Sequence, residues 1–176
     1  MAENKIDKSR RNFLLGAVRR FRNEEASGPA ASTAACIDVM KEANSLYVDE
    51  QWEEARQKYR QCLDSDKNDA DVRYRLGVCL YRTGLYRQAK LEFERALRIR
   101  REYMDAFLYL GLTMVRLDRA DKAVALWKRY FNPGAVAVQR ELNLQIGLIE
   151  EGVGDPPEVI AQAVEKAIVL AGQAIG

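Results

Sequence analysis

Apolar residues between positions 36 and 133 recur with the spacing expected of short amphipathic helices. In residues 70–103 the pattern predicts two helices that meet at Thr83-Gly84, a turn signal. The same pattern occurs one period of about 34 residues earlier and again one period later, with no gap between the copies. The hydrophobic pattern therefore predicts a series of helix pairs over most of the chain.

Small and large residues alternate at fixed positions in each copy. In the central copy Gly77 and Ala89 are small enough for two helices to approach closely, and Phe93 fills the space around them. A bulky residue after the turn also repeats, as Trp52 and then Tyr86. The residues aligned with Gly77, Ala89, Phe93 and Ala96 are Ala43, Ala55, Tyr59 and Cys62 in the first copy and Gly111, Ala123, Trp127 and Tyr130 in the third. Tyr130 stands where a small residue is expected, which predicts altered packing after the third copy.

This period and this small–large–small spacing resemble the tetratricopeptide repeat. The resemblance is carried by Leu76-Gly77, Tyr86, Ala89, Phe93 and Ala96 and by their counterparts. It implies an all-α fold, a right-handed superhelical stack of antiparallel helix pairs. Three repeats are expected in residues 34–133, at about 36–69, 70–103 and 104–133. Lys67 and Arg101 stand where the family usually has proline, which leaves the turns between repeats uncertain by a residue or two.

The repeat signature fades after Asn132-Pro133-Gly134. Residues 135–151 still predict a helix, and Gly152-Val153-Gly154 should end it. Asp155-Pro156-Pro157-Glu158 then has the features of a helix start, with proline and an acidic residue in the first turn. We expect residues 134–176 to form a degenerate helix pair that caps the stack, because a solenoid must cover its last exposed core face. The alternative is a self-association surface.

The resemblance also implies a concave groove that binds peptides and is lined by the first helix of each repeat. A lysine and asparagine clamp for a peptide carboxylate, known in one subclass, is disfavoured because only Asn44 matches it. Some of the groove tyrosines could instead pack between helices. By repeat position, the groove residues are Met40, Asn44, Tyr47, Tyr74, Val78, Tyr81, Arg82, Leu108, Leu112 and Arg116.

The charge is unevenly distributed, since residues 1–23 carry a net +5 and the rest of the chain carries −3. Residues 24–33 predict a flexible linker after this basic segment. Three interpretations of the segment stay open: a twin-arginine export motif without a proper hydrophobic region, an amphipathic helix on an anionic membrane surface, and a docking helix for a partner or for the chain's own groove. The residues concerned are Arg10, Arg11, Phe13, Leu14, Val18, Arg19, Arg20 and Phe21.

The chemistry-bearing residues of the sequence do not suggest an enzyme. The chain has no histidine, no glycine-rich phosphate loop and no CxxC spacing among its three cysteines. Glu92 and Glu94 are expected on solvated helix faces. No apolar stretch is long enough to predict a membrane span. We therefore predict no catalytic residue, no cofactor and no metal.

These features together predict a non-catalytic adaptor that binds a protein segment within, or during assembly of, a larger complex. We expect it in a bacterial cytoplasm, peripheral to the inner face of the membrane in one version. The alternatives are an assembly or targeting chaperone related to twin-arginine export and an exported periplasmic scaffold. Nucleic acid is not an expected partner, because the body of the chain is acidic. Homo-oligomerisation through the C-terminal helices or the N-terminal segment stays open.

Overall fold

The structure, a computed structural model, describes the backbone of residues 29–173 and the side chains of residues 37–172. The basic segment 1–23 and its three interpretations lie outside the described residues. The chain divides between Val39 and Met40 into two compact units. The described part of the first unit is helical, and the second unit contains the helix pairs.

The described residues are helical throughout apart from short turns and connectors, which confirms the expected all-α fold. Helix α1 begins inside the stretch where the sequence predicts a linker, because Pro29 suits a first helical position and the residues that follow are rich in alanine. The helices are α1 Pro29–Val48, α2 Trp52–Ser65, α3 Ala70–Arg82, α4 Tyr86–Ile99, α5 Met104–Arg116, α6 Ala120–Trp127, α7 Val136–Glu150 and α8 Pro157–Gln173.

Consecutive helices pack against each other from α2 to α8, as the stack of helix pairs requires. Within the pair α3–α4, a Cβ atom added to Gly77 would lie 2.6 Å from the ring of Phe93. Within α5–α6, a Cβ on Gly111 would collide with the indole of Trp127. Phe93 and Trp127 are fully buried. The small and large residues of the repeat thus have the packing role that their spacing predicts.

The first helix of each pair ends in the same turn, and this turn occurs four times in the described part of the chain. The ends of α1, α3, α5 and α7 follow one another at a constant interval along the sequence. In each turn the N–H of the third residue beyond the helix donates to a carbonyl five residues back, at 2.8–3.0 Å. Two residues beyond each helix the backbone is left-handed, at Glu50 (φ 57°), Gly84 (75°), Asp118 (57°) and Gly152 (72°). Helix α7 is therefore in register with the first helices of the three repeats.

Helix α8 leaves this register. Helices α2, α4 and α6 begin two residues after the left-handed position, whereas α8 begins five residues after Gly152. The residue before a proline is disfavoured in helical conformation, so Pro156 and Pro157 prevent an earlier start. Helix α6 is also short, with eight residues, and Tyr130 is buried beyond its end. The end of the stack therefore differs from the first two repeats in two ways: α6 is short, with Tyr130 buried beyond its end, and α8 begins late.

One expectation about surface charge is wrong. Glu92 was expected on a solvated helix face, but it is buried beneath α3, where Arg73 donates a 2.8 Å hydrogen bond to its carboxylate. Arg73 also donates to the carbonyl of Lys67 at 2.8 Å. A buried carboxylate persists when it is paired and hydrogen-bonded in this way. This ion pair ties α3 to α4.

Candidate binding groove

By repeat position, the first helices α1, α3 and α5 form the predicted concave face of the stack. The ten residues predicted to line it differ in their solvent exposure. Arg82 is exposed, Met40, Asn44, Tyr47, Tyr74 and Arg116 are half-buried, and Val78, Tyr81, Leu108 and Leu112 are buried. Val78 and Leu112 are fully buried in this chain, and their place in the groove stays a prediction.

The face has two parts. We call the residues Met40, Asn44, Tyr47, Tyr74 and Arg82, together with Arg75, the open half. We call Tyr81, Leu108, Leu112 and Arg116 the covered half, because helix α8 packs against α5 there.

A polar network joins the first and second repeats in the open half. The side-chain oxygen of Asn44 accepts a 2.9 Å hydrogen bond from the hydroxyl of Tyr59 and a second hydrogen bond from the guanidinium of Arg75. The two donors come from α2 and α3, so this one amide links three helices. Arg75 was not predicted, although it directly follows the predicted Tyr74.

Aromatic rings form the apolar wall of the open half. The ring of Tyr47 meets Trp52 edge-on at a centroid distance of 5.2 Å, and the guanidinium of Arg82 lies 5.7 Å from the Trp52 ring centroid. Burial raises the pKa of Tyr47, so its hydroxyl stays protonated and can donate a hydrogen bond. This end of the groove combines apolar rings with a cation.

A second cluster of tyrosines lies at the centre of the face. The ring centroid of Tyr74 is 5.0 Å from that of Tyr103 and 5.8 Å from that of Tyr109. Burial raises the pKa values of Tyr74 and Tyr109. Tyr103 and Tyr109 were not predicted. Tyr109 occupies the same repeat position as Arg75. The repeat period could therefore have identified this position as a second one on the same face of each first helix.

A carboxylate is fixed beside this cluster. Asp71 accepts hydrogen bonds from both terminal nitrogens of Arg100, at 3.0 and 2.6 Å, and from the hydroxyl of Tyr103 at 2.7 Å. Hydrogen bonding from Arg100, followed by that from Tyr103, lowers the pKa of Asp71 against the opposing effect of burial. The charge of Asp71 is therefore already paired within the chain.

The covered half is held by a cluster from three helices. Glu165 on α8 accepts hydrogen bonds from the hydroxyl of Tyr81 on α3 and, at 3.2 Å, from the guanidinium of Arg116 on α5. The Nε of Arg116 also donates to the Tyr81 hydroxyl at 3.3 Å. Burial and the Glu165 carboxylate both raise the pKa of Tyr81. The sequence predicted Tyr81 and Arg116 as groove residues but gave no sign that Glu165 would meet them.

Two further observations concern the described part of the chain. Its helices include none that is both long and apolar enough to cross a membrane. Among residues 37–172, no three His, Cys, Asp or Glu side chains are grouped so that they could hold a metal ion.

Comparison with known proteins places this geometry in a family. Residues 49–98 match the family model described as tetratricopeptide repeat. The chain is 40% identical over 65 residues to human Tetratricopeptide repeat protein 8, a match that covers 36% of this chain and 12% of that protein. The chain thus spans about an eighth of the length of this curated relative.

Solved structures show the same fold at low sequence identity. MamA is similar with a TM-score of 0.61 and 17% identity, covering 98% of this chain and 99% of MamA. The first tetratricopeptide repeat domain of Spaghetti (RPAP3), solved bound to the HSP90 peptide SRMEEVD, is similar with a TM-score of 0.56 and 16% identity, covering 64% of this chain and 93% of that domain. With the repeated turns and the helix pairing, these matches support a tetratricopeptide repeat protein, the family model itself matching residues 49–98.

Proposed function

We propose that this protein is a non-catalytic adaptor that binds an extended or helical segment of a partner protein in the open half of its concave face. The observation that carries the proposal is the composition of that half, in which protonated tyrosine hydroxyls and the cations Arg75 and Arg82 surround apolar rings. Tyrosine suits such a surface because it combines a large apolar body with a polar tip. The similar domain of Spaghetti binds a peptide, which supports the same use of the fold here.

The chemistry of the open half favours a partner segment with both apolar and acidic residues. Arg82 is exposed at the rim, and Arg75 is half-buried against Asn44. The neighbouring carboxylate, Asp71, is already neutralised by Arg100. A carboxylate in the partner would therefore meet the positive charge of Arg75 and Arg82, while its apolar side chains would cover Tyr47 and Tyr74.

Peptide selection on the immobilised full chain tests this proposal. A displayed library of short random peptides should yield sequences that combine apolar residues with at least one carboxylate. Their binding should fall by about tenfold or more in Tyr47→Ala and in Arg82→Glu, because hot-spot aromatic and arginine contacts carry losses of this size. Arg98→Glu, an exposed charge reversal on α4, is the matched control and should leave binding unchanged.

Failure has a clear form in this experiment. The proposal is wrong if no peptide is enriched above an unrelated immobilised protein, or if the enriched peptides bind Tyr47→Ala and Arg82→Glu as tightly as the unaltered chain. Attachment of the adaptor to a larger or membrane-associated complex, through residues 1–23 or otherwise, stays a prediction.

A further inference from the structure

Helix α8 contacts the groove in the way that a bound helix would. It packs against α5, the first helix of the third repeat, and against α7, which is in register with the first helices. Its buried side chains are apolar, two of them alanines, and they recur at helical spacing as Ile160, Ala161, Val164 and Ala167. The two alanines let the helix approach α5 closely. This face covers third-repeat positions whose equivalents in the first repeat stay open.

The contact also contains a specific polar element. Glu165 lies beside the apolar stripe and is held by the guanidinium of Arg116 and the hydroxyl of Tyr81. The side chains of Glu165 and Arg116 are 22% and 18% exposed, so this pair lies at the edge of the contact rather than deep inside it. Hydrogen bonds between a guanidinium and a carboxylate are strong and directional, which gives the site a preference for one helix register.

The connection to α8 differs from that of a second helix in a repeat. Residues 151–156 are all exposed and contain two glycines and a proline. The outward face of α8 keeps Val159, Val169 and Leu170 exposed. The helix is therefore attached through a solvent-accessible connector and presents its remaining apolar residues to solvent.

We propose that the covered half is a binding site for an amphipathic helix with a carboxylate beside an apolar stripe, and that α8 occupies it in competition with a partner helix of this pattern. A chain in which α8 is seated cannot bind the partner helix. The apparent affinity for the partner is therefore reduced in proportion to the fraction of chains whose site is free. This site is distinct from the open half and goes beyond the proposed function. Arg116 and Tyr81 select the acidic residue of the incoming helix, and α5 and α7 receive its apolar stripe.

A synthetic fluorescein-labelled peptide with the sequence of residues 155–173 serves as the probe, and fluorescence anisotropy with the full chain measures its binding. In Glu165→Lys, the internal helix meets Arg116 with like charge, so the site opens. We expect this variant to bind the peptide at least about tenfold more tightly than the unaltered chain. Lys166→Glu, at an exposed neighbouring position on α8, is the control and should behave like the unaltered chain.

Charge exchange makes the test specific to Arg116. The chain variant Arg116→Glu should fail to bind the probe, but it should bind a probe that carries lysine in place of Glu165. A general loosening of the fold would not make the Arg116→Glu chain prefer the lysine probe, so restored binding would report the direct charge contact. Hydrogen exchange of α2, α3 and α4 should be unchanged in each variant, which separates release of α8 from unfolding.

Three outcomes would overturn the proposal. The first is equal probe binding by Glu165→Lys and the unaltered chain. The second is equal binding of both probes by Arg116→Glu. The third is concentration-dependent dimerisation of Glu165→Lys that excludes the probe, which would assign the site to α8 of a second copy. Tyr47→Ala should not alter this assay, so failure here is distinguishable from failure of the proposed function.

Discussion

The open and covered halves of the concave face are built from equivalent positions of the repeat, yet they differ in what meets them. Asn44 in the first repeat and Leu112 in the third occupy the same repeat position. Asn44 is half-buried and hydrogen-bonded to Tyr59 and Arg75, whereas Leu112 is fully buried. The backbone is the same in both places, so the difference comes from side-chain polarity and from the presence of α8.

The comparison shows how one scaffold can hold two kinds of site. On α1, Asn44 and Tyr47 are half-buried, and Asn44 satisfies its side-chain oxygen within the chain. At the same positions of α5, the apolar side chains of Leu108 and Leu112 are buried. The repeat period determines where the groove runs, and the residues at a few positions determine whether it needs an occupant.

The largest expected effect comes from a charge placed in the covered half. Val164 on α8 is fully buried, so Val164→Asp would put an unpaired carboxylate against α5 and α7. We expect α8 to detach and the free energy of unfolding to fall by about 3 kcal/mol. Urea denaturation measures the loss, and hydrogen exchange should show lost protection in residues 136–172 with protection retained in α3 and α4.

The matched control is Gln162→Asp, which adds the same charge to an exposed position of α8 and should change stability little. Equal loss of protection in α3 and α4 after Val164→Asp would show that the two halves unfold as one unit, and would contradict the separation drawn here.

A smaller effect is expected at the repeated turn, which the two halves share. Glu50 and Asp118 adopt left-handed backbone conformations that glycine adopts without strain, as it does at Gly84. We expect Glu50→Gly and Asp118→Gly each to raise the free energy of unfolding by up to about 1 kcal/mol, and Gly84→Ala to lower it by a similar amount. Thermal and urea unfolding would measure both changes.

Asp49→Gly is the control for this prediction, because Asp49 precedes the left-handed residue and is not itself left-handed. It should give no gain. A gain at Asp118 without one at Glu50 would mean that the turn carries strain in the covered half alone.

The smallest effect concerns the carboxylate at the rim of the open half. The pKa of Asp71 is lowered in the folded state, so its ionised form stabilises the fold at neutral pH and this contribution is lost as the pH falls through the folded pKa. The ion pair with Arg100 is half-exposed. Asp71→Asn should therefore cost less than about 1 kcal/mol at pH 7.

The difference between Asp71→Asn and the unaltered chain should shrink as the pH is lowered below about 4, where aspartate is normally protonated. Arg100→Gln should show the same pH dependence, since it removes the other partner. A stability difference that stays constant from pH 7 to pH 2 would show that the ion pair contributes nothing.

Most of the helix pairing could be predicted from the sequence, because the contacts that enforce it are local. Gly77 with Phe93 and Gly111 with Trp127 lie within one helix pair, and their sizes are visible in the residue types. The turn at Gly84 is equally local. The fourth turn is also marked by a glycine, Gly152, which lies at the repeat position of the three earlier left-handed residues.

The groove could be predicted only in part, because it depends on contacts between elements far apart in the chain. Tyr81 and Arg116 were placed on the concave face from the repeat position alone. Their partner Glu165 is 84 and 49 residues away, and nothing in its local sequence indicates the contact. The path of α8 follows from the delayed helix start at Pro157, which no repeat rule describes.

The buried cysteines give the first two repeats built-in reporters of opening. Cys62 and Cys79 are buried thiols, and burial raises the pKa of Cys79 to about 12. Alkylation requires a thiolate that the reagent can reach, so Cys79 should react only during transient exposure of α3. The cysteines of the chain all precede residue 80. The rate at which Cys62 and Cys79 are labelled in the unaltered protein would therefore time the fluctuations of its first two repeats without any engineered probe.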